Sequence, residues 1–173
     1  MPERVLILGG SGLLGRALLR HVPPEVAPVH PSETDLPLEH PERIDALLES
    51  EAIDRVLLLA AWTAVDACES DPERAYLVNG VLAGRAARCA GRRGLPLLFM
   101  STDYVFDGRS PRPYREYDAA GPLSVYGRSK WYGESAVREA CRDFRIVRGS
   151  GLYGKGGPDF LTAMVGRLRQ GTV

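Results

Sequence analysis

The chain has 173 residues, and its 22 Lys and Arg balance 22 Asp and Glu to a formal net charge of zero. That balance leaves no electrostatic footprint for nucleic acid or an anionic membrane surface, and no apolar run approaches the ~18 residues of a membrane span. An apolar content of 45% over this length suits about one domain with a real core.

The opening Met1-Pro2-Glu3-Arg4-Val5 has no charged-then-apolar leader, so a cytoplasmic protein is expected. Cys68, Cys89 and Cys141 are widely scattered, and His21, His30 and His40 are not at ligand spacing. Neither a disulfide framework nor a metal site is expected from them.

Val5-Leu6-Ile7-Leu8 is a continuous apolar run of the kind a strand buried on both faces requires. It leads into Gly9-Gly10-Ser11-Gly12-Leu13-Leu14-Gly15, and Arg16-Ala17-Leu18-Leu19-Arg20 reads as helix. Strand, glycine turn and helix form the context of a dinucleotide fingerprint. The glycines let the backbone approach a pyrophosphate, and the helix start offers free N–H groups. The spacing has two parses: Gly10-x-Gly12-x-x-Gly15, and Gly9-x-x-Gly12-x-x-Gly15, the form of short-chain reductases.

Val26-Ala27-Pro28-Val29 is the second expected strand. A strict NAD site would place an acid near its end, to hold a ribose hydroxyl. His30-Pro31-Ser32 stands there instead, with Glu33 and Asp35 a little later. Lack of an acid removes a repulsion against a 2′-phosphate and tilts the cofactor toward NADPH, with NADH still open; a polar loop of no consequence explains the residues equally well.

His40-Pro41-Glu42-Arg43 starts a helix, with proline at its first position and an apolar stripe of Ile44, Leu47 and Leu48. Val56-Leu57-Leu58-Leu59 is a third buried strand, ending in Ala60-Ala61-Trp62-Thr63-Ala64-Val65-Asp66. Small residues there suit either a flat ligand lying on the backbone or a tightly packed turn. Asp71-Pro72-Glu73 opens a helix that Gly91 can close. Asn79 within it reads as a surface or local backbone partner.

Leu95 to Met100 is the fourth strand, followed by Ser101-Thr102-Asp103-Tyr104-Val105-Phe106. Asp107 to Leu123 should be a long functional loop, Val125 to about Cys141 a helix, Asp143 to Arg148 a fifth strand and Phe160 to Leu168 a last helix. This alternation predicts an α/β fold, a doubly wound parallel sheet of the NAD(P)-binding Rossmann kind with residues 1–173 as one domain. The expected strand order is 3-2-1-4-5. The glycine turn after strand 1 and Ser101-Thr102 after strand 4 would then flank the switch point where ligands bind.

Tyr126 and Lys130 are four residues apart and share a helix face. A phenol titrates near 10, and a neighbouring ammonium favours its anion. Tyr126 is therefore the candidate proton donor to a carbonyl oxygen, and Thr102 or Ser101 a second donor to the same oxygen. A bound nicotinamide would supply hydride.

Together the segments Ser101–Phe106, Pro122–Lys130 and Ala60–Asp66 resemble the extended short-chain dehydrogenase/reductase superfamily, and within it the dTDP-4-dehydrorhamnose reductase family. The resemblance implies catalytic roles for Thr102, Tyr126 and Lys130. It implies cofactor contacts at Gly9, Gly12, Leu13, Leu14, Gly15, Asp35, Leu36, Ala61, Trp62, Thr63, Tyr126 and Lys130, and substrate contacts at Thr102 and Asp103. The implied reaction is NAD(P)H-dependent reduction of the 4-keto group of dTDP-4-dehydro-L-rhamnose, with a nucleotide sugar as partner and no metal.

The chain departs from the family at Gly151, where a tryptophan contacts the sugar nucleotide, and at His30, in place of an acid. Family members also run longer, so the substrate lobe is expected to be incomplete or absent and the chain alone slow or inactive. A non-catalytic NADP-binding regulatory subunit, like the regulatory beta subunit of methionine adenosyltransferase, and an epimerase or dehydratase of another nucleotide sugar are the alternatives. Phe160, Leu161, Met164, Val165 and Leu168 form an apolar stripe expected to leave an exposed patch near strand 5 and to drive homo-oligomer formation; a stripe docked wholly on the sheet would give a monomer instead.

Overall fold

The computed structural model describes residues 1–36, 38–154 and 160–171, the side chains of residues 160, 161 and 163 excepted. Five strands form one parallel sheet: β1 (Glu3–Leu8), β2 (Val26–Val29), β3 (Arg55–Leu58), β4 (Leu97–Thr102) and β5 (Phe144–Gly149). The helices are α1 (Leu13–Arg20), α2 (Pro41–Ser50), α3 (Val65–Ser70), α4 (Pro72–Tyr76), α5 (Ala83–Arg92), α6 (Val125–Ala140) and α7 (Phe160–Arg169). A π-helical segment, Leu77–Leu82, joins α4 to α5, so the expected single helix carries an insertion. The short helix α3 was not anticipated.

The strand order is β2-β1-β3-β4-β5, which corrects the expected 3-2-1-4-5. Pro28 supplies the reason. It pairs with Val5 of β1 and gives β2 no N–H there, a residue tolerated on an edge strand but not on one flanked on both sides. β2 is therefore the edge, only half-buried along its length, and β3 takes the other side of β1, with Leu6 opposite Val56 and Leu8 opposite Leu58. The switch point accordingly lies between β1 and β3. It is flanked by the glycine turn and Ala60-Ala61-Trp62, and Ser101-Thr102 lie one strand farther out.

Alternate residues of β1 are buried on both faces. Leu6 and Leu8 join Val56, Leu58, Leu97 and Phe99 in a core closed by Ile44 and Leu48 of α2, Ala83, Ala86, Ala87 and Ala90 of α5, and Val137 of α6. The alanines let α5 lie close to both α2 and α6. All three cysteines are free and buried. No helix among the described residues is long and apolar enough to cross a membrane.

On α7, Val165 and Leu168 are exposed, as the apolar stripe led one to expect; the side chains of Phe160 and Leu161 lie outside the described residues. Val147, Leu152 and Tyr153 add further exposed apolar surface on β5 and the segment after it.

Candidate active site

The glycine turn is shaped by contacts that only glycine permits. Gly9 adopts φ +96°, and a Cβ there would strike Leu59 and Ala60 at the end of β3. At Gly15, a Cβ would collide with the backbone of Gly9 and Gly10. Gly9 and Gly15 are thus the turn and close-packing glycines, and the short-chain spacing is the one the backbone uses. Gly12 caps α1 without a side-chain bond, which leaves the first N–H groups of that helix open. Leu13 and Leu14 line a cleft of about 130 Å³ together with Ala17, Arg20, Leu152, Tyr153 and Gly154.

Arg16 bends back to the turn, where it donates to the Ser11 carbonyl oxygen. Its Nε is buried without a partner. An open helix start, a backbone cradle with no room for Cβ atoms and an unsatisfied guanidinium nitrogen fit an anionic dinucleotide. Asp35 is exposed and accepts a 2.5 Å hydrogen bond from Ser32 Oγ. Leu36 is buried in the core, so only its backbone can serve a ligand. A wider groove between α2 and α5 lies away from these residues and is edged by ion pairs of Asp45 with Arg92 and Arg93.

Beyond β3, Trp62 is fastened through its backbone. Its N–H donates to Asn79 Oδ1 at 2.8 Å, and its carbonyl accepts from Asn79 Nδ2 at 3.0 Å. The same Nδ2 reaches Ser129 Oγ at 3.0 Å, and Ser129 donates to the Tyr126 carbonyl at 2.8 Å. Asn79 is fully buried and its partners lie far along the chain, contrary to the surface or local backbone role expected of it. It ties the Ala61-Trp62-Thr63 segment to the helix that carries Tyr126. The π-helical insertion that presents it is a feature common near functional sites.

Helix α6 begins one residue before Tyr126, where Ser124 Oγ accepts from the Gly127 N–H at 3.0 Å and Glu69 of α3 accepts from the Val125 N–H at 2.7 Å. Tyr126, Ser129, Lys130 and Glu134 all point inward. Tyr126 is 8% exposed and packs edge-on to Tyr104, with ring centroids 5.6 Å apart. Burial pushes its phenol above the ordinary value; the Thr102 hydroxyl pulls it back, and Cys68, Asp103 and Tyr104 add smaller upward pushes. Lys130, expected to lower it, is not among the main influences on the phenol; its Nζ turns to β4.

Lys130 is 1% exposed. Its Nζ donates to the Met100 carbonyl at 2.7 Å and lies 4.0 Å from the centre of the Phe99 ring. Burial brings its pKa down to about 7, with Glu134 acting in the opposite direction. Strand alternation separates the two candidate hydroxyls. Ser101 Oγ is committed to Glu134 at 2.7 Å. Thr102 stands beside Tyr126 and contacts Asp103 Oδ1 at 3.2 Å. Thr102, Asp103, Tyr126 and Lys130 are therefore gathered at the C-terminal end of β4.

The long loop is ordered by its own contacts. Phe106 stacks on Tyr114 at 4.3 Å, Asp107 accepts from the Tyr114 hydroxyl at 2.6 Å, and Arg112 grips Asp118 with two 2.9 Å bonds. Gly151 has open space where a Cβ would stand. No group of three His, Cys, Asp or Glu among the described residues is placed to hold a metal.

The family model described as the RmlD substrate binding domain matches residues 3–173. The chain belongs to the RmlD substrate-binding domain family. A dTDP-4-dehydrorhamnose reductase of Sinorhizobium fredii is 38% identical over 162 residues, covering 94% of this chain and 55% of the relative. One from Streptomyces griseus is 42% identical over 168 residues, covering 94% and 54%. The crystal structure of the Bacillus anthracis dTDP-4-dehydrorhamnose reductase in complex with NADP matches with a TM-score of 0.92 and 33% identity, over 98% of this chain and 61% of that one. The chain thus spans about half the length of the curated RmlD-family relatives it matches.

Arg16, Asn79, Glu134, Arg148 and Leu152–Gly154 were not among the expected site residues. A polar residue inside an apolar helical pattern was the available signal for Asn79, and a second ionisable residue one turn beyond Lys130 the signal for Glu134.

Proposed function

We propose that this chain is the cofactor-binding and catalytic unit of an NADPH-dependent reductase that converts the 4-keto group of dTDP-4-dehydro-L-rhamnose, or a similar nucleotide-linked keto-sugar, to the alcohol. The carrying observation is the burial of Tyr126 beside Thr102, with Lys130 on the same helix face. Residues 1–173 act as one NAD(P)-binding unit, cytoplasmic in location.

The turn at Gly9, Gly12 and Gly15 with Leu13, Leu14 and Arg16 holds the dinucleotide, and Ala61, Trp62 and Thr63 line its path toward Tyr126. Asp35 and the Leu36 backbone face the ribose end. NADPH supplies a hydride to the carbonyl carbon when bound. Tyr126 gives its phenolic proton to the carbonyl oxygen. Thr102 donates a hydrogen bond to that oxygen as charge develops on it, and Asp103 binds the sugar nucleotide. Lys130, when charged, favours the phenolate left after proton transfer.

Isothermal titration with NADPH and NADH tests the first half of this reading. The expected result is saturable binding with NADPH preferred; a folded chain that binds neither overturns it. Product analysis with a panel of nucleotide keto-sugars separates reduction from epimerisation or dehydration. Tight NADPH binding without turnover would favour the regulatory reading, which the open space at Gly151 supports and the assembled Thr102, Tyr126 and Lys130 oppose.

Self-association through Val147, Leu152, Tyr153, Val165 and Leu168, all exposed, belongs to the same proposal. A concentration-independent monomer in sedimentation would remove it.

A further inference from the structure

Arg148 stands opposite Ser101 where β5 pairs with β4, just before the Thr102 and Gly149 pair that ends the ladder. Its side chain is only 13% exposed, and the guanidinium works in two directions. Toward α6 it grips both oxygens of the buried Glu134, Nε to Oε1 at 2.9 Å and Nη2 to Oε2 at 2.8 Å. Oε1 also accepts from the Ser101 hydroxyl at 2.7 Å, and Oε2 from Arg138 Nη2 at 3.0 Å. A buried carboxylate bonded on every side has little freedom to turn. Toward the long loop, Arg148 lies over the Phe106 ring, 4.9 Å from its centre, and its Nη1 donates to the Glu116 carbonyl at 3.3 Å. Phe106 is itself stacked on Tyr114.

Ser101 and Phe106 bracket the segment Thr102-Asp103-Tyr104-Val105. One guanidinium therefore holds that segment at both flanks: ahead of it through Glu134 and Ser101, and behind it through Phe106. A planar fork can make a bidentate pair and lie flat on a ring at the same time, which an ammonium cannot. The side chains and carbonyl that Arg148 engages lie on α6 and the long loop, and none belongs to the glycine turn.

We propose that Arg148 is a positioning residue: by fixing both flanks of the segment, it keeps Thr102 and Asp103 in register with Tyr126. For its effect on turnover this rests on the reductase reading; the hold on the segment stands without it.

Arg148→Lys keeps the charge and loses both the fork and the stack. In protein carrying 13C-methyl threonine, the Thr102 methyl, assigned by its loss in Thr102→Ser, reports the segment without any ligand. Thr63, beyond β3, is the control. The Thr102 signal is expected to shift and to broaden or split in Arg148→Lys, with the Thr63 signal unmoved. NADPH affinity should stay at the wild-type value, while turnover of the keto-sugar falls about 10-fold or more through misplacement of Thr102. Phe106→Leu removes one of the two holds. It should give the same changes to a smaller extent, and it decides the matter if Arg148→Lys does not fold.

A residue that only stabilises the fold would lower the unfolding midpoint and leave the Thr102 methyl of the folded protein in place. A Thr102 signal unchanged in the folded variants overturns the proposal. So does wild-type turnover that Arg148→Lys retains in full, or a loss of NADPH affinity as large as the loss of turnover. The expected change at Thr102 in a protein whose wild type shows no turnover would defeat the reductase reading and leave the positioning role standing.

Discussion

Helices α5 and α6 lie side by side against the sheet, yet they bury different surfaces. α5 turns Ala83, Gly84, Ala86, Ala87, Cys89 and Ala90 inward and leaves Arg88 and Arg92 in water. α6 buries Tyr126, Ser129, Lys130 and Glu134. The first arrangement gains from removing apolar surface from water. The second puts an ammonium and a carboxylate where each charge is costly unless bonded. A helix that buries ionisable groups beside one that buries alanines marks where the chain gives up stability for chemistry.

The largest effect expected outside the polar helix is at the glycine turn that leads into α1. Gly15→Val drives a side chain into the backbone of Gly9 and Gly10 and should abolish measurable NADPH binding, read by titration calorimetry on folded protein. Binding at the wild-type affinity would show that the turn does not hold the dinucleotide. Next is Asn79→Leu, which strands the Trp62 N–H and the Trp62 carbonyl. Denaturant unfolding should show a loss of about 2–4 kcal/mol, given the ~1–3 kcal/mol cost of each unpaired buried group. A loss below about 1 kcal/mol would mean that the clamp between the two halves of the site is dispensable.

The polar helix also predicts a pH signature that its apolar neighbour lacks. Lys130 has its folded pKa lowered from 10.5 to about 7. Between those values the unfolded chain holds a proton that the folded chain has released. Stability should therefore rise with pH across that window, by at most about 1.4 kcal/mol per pH unit. Lys130→Met should flatten this rise in denaturant titrations at several pH values; an unchanged slope would assign the effect elsewhere. On α5, Ala87→Val should cost about 1 kcal/mol or somewhat more by overpacking, with the Lys130 titration unmoved. A shifted Lys130 midpoint would blur the distinction between the helices.

Much of this arrangement was legible in the residues. Continuous apolar runs located β1, β3 and β4, because strands buried on both faces need no alternation. The pair Tyr126 and Lys130 declared one face of α6 through its four-residue spacing. Strand order was not read correctly, although Pro28 carried the information: a residue without an N–H belongs on an edge. Asn79 was misplaced because its partners lie 17 and 50 positions away, and helical periodicity cannot report such distances. The choice of Thr102 over Ser101 needed the register of β4 on α6. Glu134 repeats the spacing of Lys130, but its ties to Ser101 and Arg148 exist only once β4 and β5 are adjacent.

The most direct test of the buried polar face as an active site is NADPH oxidation with dTDP-4-dehydro-L-rhamnose, for the wild-type protein and Tyr126→Phe, with NADPH binding measured on both. With the phenol as the proposed proton donor, Tyr126→Phe should bind NADPH as the wild type does and lose about 10²–10⁴-fold in turnover. Equal turnover by the two proteins would contradict the assignment of Tyr126 and the account built on it.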